Sequence, residues 1–364
     1  MEEKNNILIV GGYGNVGKHI SNILAERFPG KIIVSGRSLD KAKKFVESSK
    51  ESMIPTEFDI NSPDQYVKVL KNVKVVISAI EVPENTSFVR ACLSRGIHYT
   101  EIATSFETMN RLLPLNQLAK SNHVSLIPGT GLMPGLSNLM GFYLANQLNY
   151  VMDVNIYVML GLGDEHGTDA IRWMLESSDK SFKVIENNKP KWVKALQESR
   201  RTRILSEKRQ RQFFRFGFAD QFILLLTTDT SGASSWVGFD SRFFNSLISI
   251  GGKIGLIKWL KLIPPQKIKK WLSYSNLGSD NYMFQCEVLG YDGSHPKTLI
   301  GLVSGQNEAK TTGIIGAFTV MQLFEGNVPL GVNHLEYCLQ AESLFSFLQN
   351  YDVNFQFNEI PCTT

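Results

Sequence analysis

Apolar and polar positions follow two different regimes along this chain. Over the first 128 residues, short apolar runs alternate with amphipathic stretches. The β-branched run "NILIV" (6–10) leads through a glycine cluster into "VGKHISNILAERF", whose Val16, Ile20, Ile23, Leu24 and Phe28 fall on one face at helical spacing. The same reading gives strands at "KIIVSGR", "PTEFDI", "VKVVISAI", "GIHYTEIA" and "VSLIPG". Helices are predicted at "LDKAKKFVESS", "SPDQYVKVLKN", "TSFVRACLSRG" and, as one element, "FETMNRLLPLNQLAKSN". Strand and helix in strict alternation predict a doubly wound parallel sheet of the α/β class.

The alternation stops after "PGTGLMPGLSN". Longer β-like runs follow, "DVNIYVMLGLG", "QFILLLTTDT", "MFQCEVLGYD" and "TLIGLVSG", separated by basic helical or loop segments. They predict a second, α+β domain with an antiparallel sheet. From Glu308, "EAKTTGIIGAFTVMQLFEG" reads as a helix with an apolar face of Ile314, Ala317, Phe318, Met321 and Phe324, ending at Gly326 with Pro329 beyond. The expected division is a first domain of residues 1–128 plus 308–364, interrupted by an inserted domain of residues 129–307.

Composition narrows the classes of function. The 364 residues are 43% hydrophobic and 20% charged, with a net charge of only +4. This is ordinary for a globular protein with a substantial core, and far from the concentrated charge that nucleic-acid binding requires. The charged start "MEEKNN" and the lack of an 18-residue apolar run lead us to expect a cytoplasmic protein. Cys92, Cys286, Cys338 and Cys362 form no C-x-x-C pair, and His19, His98, His123, His166, His295 and His334 show no i, i+4 spacing. Neither a disulfide framework nor a metal site is expected.

The chemistry begins at "GGYGNVG", a G-x-G-x-x-G pattern with Gly12, Gly14 and Gly17 in the three places and Tyr13, Asn15 and Val16 between them. Taken alone, such a pattern can be a tight turn. Between a strand and a helix it is a phosphate cradle: the first glycine allows the bend, the second lets the backbone approach a pyrophosphate, and the third lets helix pack on strand. At the end of the second strand, where an NAD site carries Asp or Glu, "SGRS" offers Gly36, Arg37 and Ser38. An arginine there can hold a 2′-phosphate, which favours NADP(H). Asp59 and Ile60, ending the third strand, either flank an adenine or form a turn. Ser78, Ala79 and Ile80 are small enough, after the fourth strand, for the cofactor to approach.

The motifs "GGYGNVG", "SGRS", "VVISAI", "ACLSRGIHYTEIA" and "GTGLMPGLSNLM", then "GSDNYMFQCEVLGYDG" and "EAKTTGIIGAFTVMQLFEGNVPLGVNHLE", occur in the order and spacing of one family. The chain resembles the saccharopine dehydrogenase-like reductases over nearly its whole length. The resemblance implies an NADP-binding Rossmann domain, an inserted α+β domain and a chain end that returns to the first domain. It also implies reduction of an imine or carbonyl of a small amino-acid-derived substrate. Members commonly carry Gly-Phe-Asp-Pro-Gly where this chain has Leu132 and Met133 before Pro134, so the acidic residue is missing.

Hydride transfer needs alignment of the nicotinamide and a proton source. Candidate donors are Tyr99 and Glu101 at the end of the fifth strand, and His166 beside Glu165 in "GLGDEHG". Gly131 and Pro134 are expected to border the substrate, and Arg172 to bind a carboxylate or to be an ordinary helix-face charge. Asp220, in an apolar surround, needs a partner; an arginine is the expected one, with a substrate amine the alternative. Residues 243–274 mix aliphatics with Lys253, Lys258, Lys261, Lys267, Lys269 and Lys270 and contain no acidic residue. They read as a lid or as subunit packing in a homodimer; peripheral contact with an anionic membrane is the alternative. A non-catalytic dinucleotide-binding scaffold or sensor stands as the second functional reading.

Overall fold

A computed structural model describes residues 4–80, 85–102, 105–164, 168–186, 188–254, 263–274 and 278–361. The chain divides into two compact units, residues 1–136 with 309–348, and residues 137–308 with 349–364.

The first unit opens with β1 (Asn6–Val10), α1 (Gly17–Arg27), β2 (Ile32–Gly36), α2 (Leu39–Ser48), β3 (Met53–Glu57), α3 (Tyr66–Val69) and β4 (Val73–Ser78). It continues with α4 (Ser87–Ser94), β5 (His98–Glu101), α5 (Phe106–Leu112), α6 (Asn116–Ser121) and β6 (Ser125–Ile127). The helix expected over 106–122 is broken: a 3₁₀ turn, Leu113–Leu115, separates α5 from α6. Pro114 lies within that turn and has no N–H to donate.

The second unit holds α7 (Leu136–Ala145), β7 (Tyr150–Leu160), α8 (Thr168–Ser177), β8 (Ser181–Glu186), β9 (Lys189–Lys194), β10 (Ser199–Thr202) and β11 (Arg211–Arg215). Next come α9 (Asp220–Thr227), β12 (Ala233–Phe239), α10 (Arg242–Ile254), α11 (Pro265–Tyr274), β13 (Asn281–Asp292) and β14 (His295–Gln306). The chain re-enters the first unit along α12 (Glu308–Glu325) and β15 (Gly331–Val332), and it ends in the second unit with β16 (Asn354–Pro361).

The first sheet has the order β15-β6-β5-β4-β1-β2-β3, and every pairing is parallel. Ile7, Leu8, Ile9, Val75, Val76 and Ile77 have no exposed surface, so the central strands are covered on both faces. This accounts for their uninterrupted apolar sequence. Helix α12 packs into this unit: a β-carbon on Gly313 would meet that of His19 at 2.6 Å, and one on Gly316 would meet Ile77 and Ile20. Its buried set holds Ile314, Ala317 and Phe318 of the expected stripe and adds Ile315, Val320 and Leu323, whereas Met321 and Phe324 are half-buried, the Phe324 ring lying tilted against Phe28 at 4.7 Å.

The second sheet runs β10-β11-β12-β7-β13-β14-β16, with the β8–β9 hairpin paired to β12. Only the β12–β7 pair on that path is parallel. Two expectations change here. The run "QFILLLTTDT" contains the helix α9, not a strand; an unbroken apolar run carries no period that separates a strand from a buried helix. Residues 354–361 belong to the second unit, not the first, because β16 pairs antiparallel with β14 from Ser304↔Asn354 to Lys297↔Pro361. That pairing gives the otherwise open edge of β14 its hydrogen-bond partners.

On α10, Phe244 and Asn245 face the sheet: Asn245 bonds both the N–H and the C=O of Phe239. Phe243, Leu247 and Ile250 are exposed on the same helix. Residues 255–262 of the basic segment lie outside the described residues. Among the described residues no helix is long and apolar enough to cross a membrane.

Candidate functional site

The tips of β1 to β4 come together around the glycine turn. Gly11 sits at φ +77°, a conformation open to glycine without strain. The N–H groups of Gly11 and Gly12 both donate to the Ser35 carbonyl, at 2.8 and 3.0 Å, tying the turn to β2. The three motif glycines then divide the work. A β-carbon on Gly12 would lie 3.0 Å from Val34 Cγ1 and 3.2 Å from the Ile9 carbonyl. One on Gly17 would collide with the Gly11 carbonyl, so only glycine lets α1 lie this close to β1. One on Gly14 would meet protein only at the Gly11 carbonyl, 3.0 Å away. Helix α1 has no side-chain cap at Val16, and the N–H groups of Lys18 and His19 in its first turn donate to the Gly14 and Val16 carbonyls, each at 3.0 Å.

A cavity of about 200 Å³ opens beside this turn, lined by Val10, Gly11, Gly36, Arg37, Phe58, Asp59, Ile60, Asn61 and Ile80. Arg37 is exposed at its rim. Ser38 caps α2, its Oγ accepting from the Lys41 N–H at 3.4 Å. Asp59 Oδ1 accepts from the N–H of Asn61 at 3.0 Å and from its Nδ2 at 3.3 Å, so this carboxylate organises a turn while lining the cavity. On the β4 side, the Ala79 N–H donates to the Val10 carbonyl at 2.8 Å, and Ser78 Oγ donates to the Ile80 carbonyl at 3.1 Å. A second hollow of about 600 Å³, beside β3 and Gln65–Lys71, shares none of these residues.

Sequence reasoning missed Phe58 and Asn61, which flank residues that it did single out. Their signal was position alone, immediately after a parallel strand.

The catalytic candidates fare differently. Tyr99 is fully buried, with its ring 6.4 Å from Phe88 and edge-on to it. Its side chain lies in the apolar layer, not at the sheet's edge, because alternate residues of a strand face opposite ways. Burial first, and then the Glu101 carboxyl, raise its pKa well above the ordinary tyrosine value. In this structure the Tyr99 side chain reaches no open surface. Glu101, also fully buried, ends β5 in register with Ser78. Its carbonyl accepts from the Thr130 N–H at 2.8 Å and from Thr130 Oγ1 at 3.1 Å. That contact anchors the turn 129–135, in which Gly131 and Pro134 are buried and the Gly131 N–H donates to the Pro134 carbonyl at 3.0 Å.

In the second unit, Arg172 is exposed on α8. His166 lies outside the described residues. The arginine expected beside Asp220 is not its partner. Ser137 Oγ donates to Asp220 Oδ1, while Arg215 is committed to Glu186 at 2.6 Å and Glu198 at 2.8 Å. Burial, partly opposed by the Ser137 hydrogen bond, lifts the Asp220 carboxyl to about 6. Among the described residues no group of three or more His, Cys, Asp or Glu side chains is placed to hold a metal ion.

A parallel sheet in this order, with a glycine turn between its first strand and helix, defines a dinucleotide-binding Rossmann domain. Residues 7–127 match the family model of the saccharopine dehydrogenase NADP binding domain. The chain is similar in fold to apo saccharopine dehydrogenase (L-Glu forming) from Saccharomyces cerevisiae, with a TM-score of 0.75 at 14% identity over 98% of this chain and 100% of that one. It is also similar to homospermidine synthase from Legionella pneumophila, solved in complex with NAD, with a TM-score of 0.67 at 12% identity over 98% and 92% of the two chains.

Proposed function

We propose that this protein is an NADP(H)-dependent oxidoreductase that reduces an imine or carbonyl of a small amino-acid-derived substrate. The observation that carries the reading is the convergence of the Gly12–Gly17 turn and the 200 Å³ cavity at the tips of four parallel strands. The residues present fit the cofactor. Gly14 leaves room for a pyrophosphate, and the uncapped α1 N-terminus favours its charge. Arg37 and Ser38 take the 2′-phosphate, with Phe58 and Ile60 beside the adenine. Ser78, Ala79 and Ile80 border the ribose that leads to the nicotinamide. NADPH, when bound, supplies the hydride. The chain's own part is to hold the dinucleotide and to keep water from the β4–β5 edge, where Glu101 and the turn 129–135 are tightly bonded.

The scaffold reading draws on Leu132 and Met133 standing where relatives carry an acid, and on the full burial of Tyr99. Fluorescence titration with NADPH, followed by NADPH oxidation in the presence of a keto acid plus an amino acid, separates the two. Binding with turnover supports the oxidoreductase; binding without turnover for any such pair favours the scaffold. No dinucleotide binding at all overturns both.

A further inference from the structure

The residue between the first two motif glycines, Tyr13, reaches across to the end of β2. A β-carbon on Gly36 would lie 2.5 Å from Tyr13 Oη, 2.6 Å from Cζ and 2.7 Å from Cε1, with no other atom as close. Position 36 lies where a carboxylate selects NAD by accepting from the ribose 2′-hydroxyl. The Tyr13 ring, where it lies, occupies the space of a side chain at position 36, so that one must move to admit the other. The phenol is also oriented: the Ser38 N–H donates to Tyr13 Oη at 3.1 Å. A hydroxyl that accepts this bond keeps its single proton for another acceptor. It stands at the start of α2, beside Ser38 and the chain position of Arg37.

We infer that Tyr13 determines the cofactor preference of this protein, by two coupled effects. Its ring bars a carboxylate from the end of β2, and its hydroxyl donates to the 2′-phosphate of NADP(H). The inference rests on the dinucleotide reading above and adds a determinant to it. Arg37 supplies charge at an exposed rim, where a nearby cation is screened and geometrically loose. Tyr13 supplies a fixed donor, held by a backbone N–H, together with the steric exclusion.

The test measures binding of NADPH and NADH, and of 2′,5′-ADP and 5′-AMP, to four forms of the full chain: unmodified, Tyr13→Phe, Gly36→Asp, and Tyr13→Ala with Gly36→Asp. Tyr13→Phe keeps the ring and loses the donor. It should weaken NADPH and 2′,5′-ADP about tenfold, as for a hydrogen bond to a charged group, and change NADH and 5′-AMP less than twofold. Gly36→Asp alone should lose affinity for both dinucleotides, because the new side chain strikes the ring. Adding Tyr13→Ala should restore NADH binding but not NADPH binding, and melting curves show whether each variant is folded. An unchanged NADPH-to-NADH ratio in Tyr13→Phe overturns the donor role. NADH binding by Gly36→Asp that is equally strong with and without Tyr13 overturns the exclusion. If the unmodified chain binds none of the four ligands, the dinucleotide reading itself fails, an outcome distinct from either.

Discussion

A side chain on Gly17 would run into the carbonyl oxygen of Gly11, whereas one on Gly14 would face open space beyond a single contact with that same oxygen. The two positions are three residues apart, yet one is required by the fold and the other, on the proposed dinucleotide reading, by the ligand. Gly17→Ala should cost about 1 to 3 kcal/mol through the forced displacement of α1, visible as a melting temperature lower by several degrees. Gly14→Ala, whose β-carbon meets only the Gly11 oxygen at 3.0 Å, should lower the melting temperature less than Gly17→Ala does and bind NADPH at least about tenfold more weakly. If Gly14→Ala keeps full cofactor affinity, the glycines are only a turn.

Arg37 should contribute through charge. Arg37→Ala is expected to weaken NADPH by about tenfold or more and to leave NADH within twofold, because only the former carries the 2′-phosphate. Its exposure makes this contribution sensitive to salt. Titrations at low and high ionic strength should show the NADPH advantage shrinking with salt in the unmodified protein and staying flat in the variant.

Helix α12 supplies a large part of the first unit's core, although nearly 180 residues of sequence separate it from β6. Ile314 is fully buried on it, and Ile314→Ala should destabilise this unit by about 2 to 5 kcal/mol. A fragment of residues 1–136 should fold poorly, while the same fragment joined by a short linker to residues 309–348 should recover a cooperative melt and NADPH binding. A cooperative melt with intact affinity for residues 1–136 alone would count against the helix as a structural requirement.

Asp220 gives the second unit a pH dependence. Its carboxyl is lifted from 3.8 to about 6 by burial, so the folded state holds a proton that the unfolded chain releases between about pH 4 and 6. Stability should therefore fall as pH rises through that window, by roughly 2 to 3 kcal/mol at most. Asp220→Asn, uncharged throughout, should flatten that part of the profile. Trp173, Trp192, Trp236, Trp259 and Trp271, all the tryptophans of the chain, lie within residues 137–308, so their emission during urea unfolding at pH 4 to 7 reports on this unit. Identical pH profiles for the two proteins would show that Asp220 does not titrate there.

What the sequence by itself determined is local and periodic. The apolar runs of β1, β2 and β4, the helical face of α1 and the glycine spacing each depend on residues within one turn or one strand of each other, so periodicity and the absence of a β-carbon were sufficient to read them. Helix α12 itself was legible as an apolar stretch with a stop signal, whereas its return to the first unit was implied only by the family resemblance, and its burial on nearly all sides was not legible. What only the tertiary structure decided depends on which distant residues meet. Asp220 finds Ser137 across 83 positions instead of an arginine, because α7 and α9 share the second unit's core. Tyr99 turns into the apolar layer because the register of β5 faces it there. The run at 221–230 became a helix because an apolar segment without a period takes whichever form its surroundings satisfy. Residues 354–361 left the first unit because β14 offered an edge. The link from Tyr13 to Gly36 and Ser38 spans more than twenty residues and arises only when β1 and β2 lie side by side, which no local pattern of polarity records.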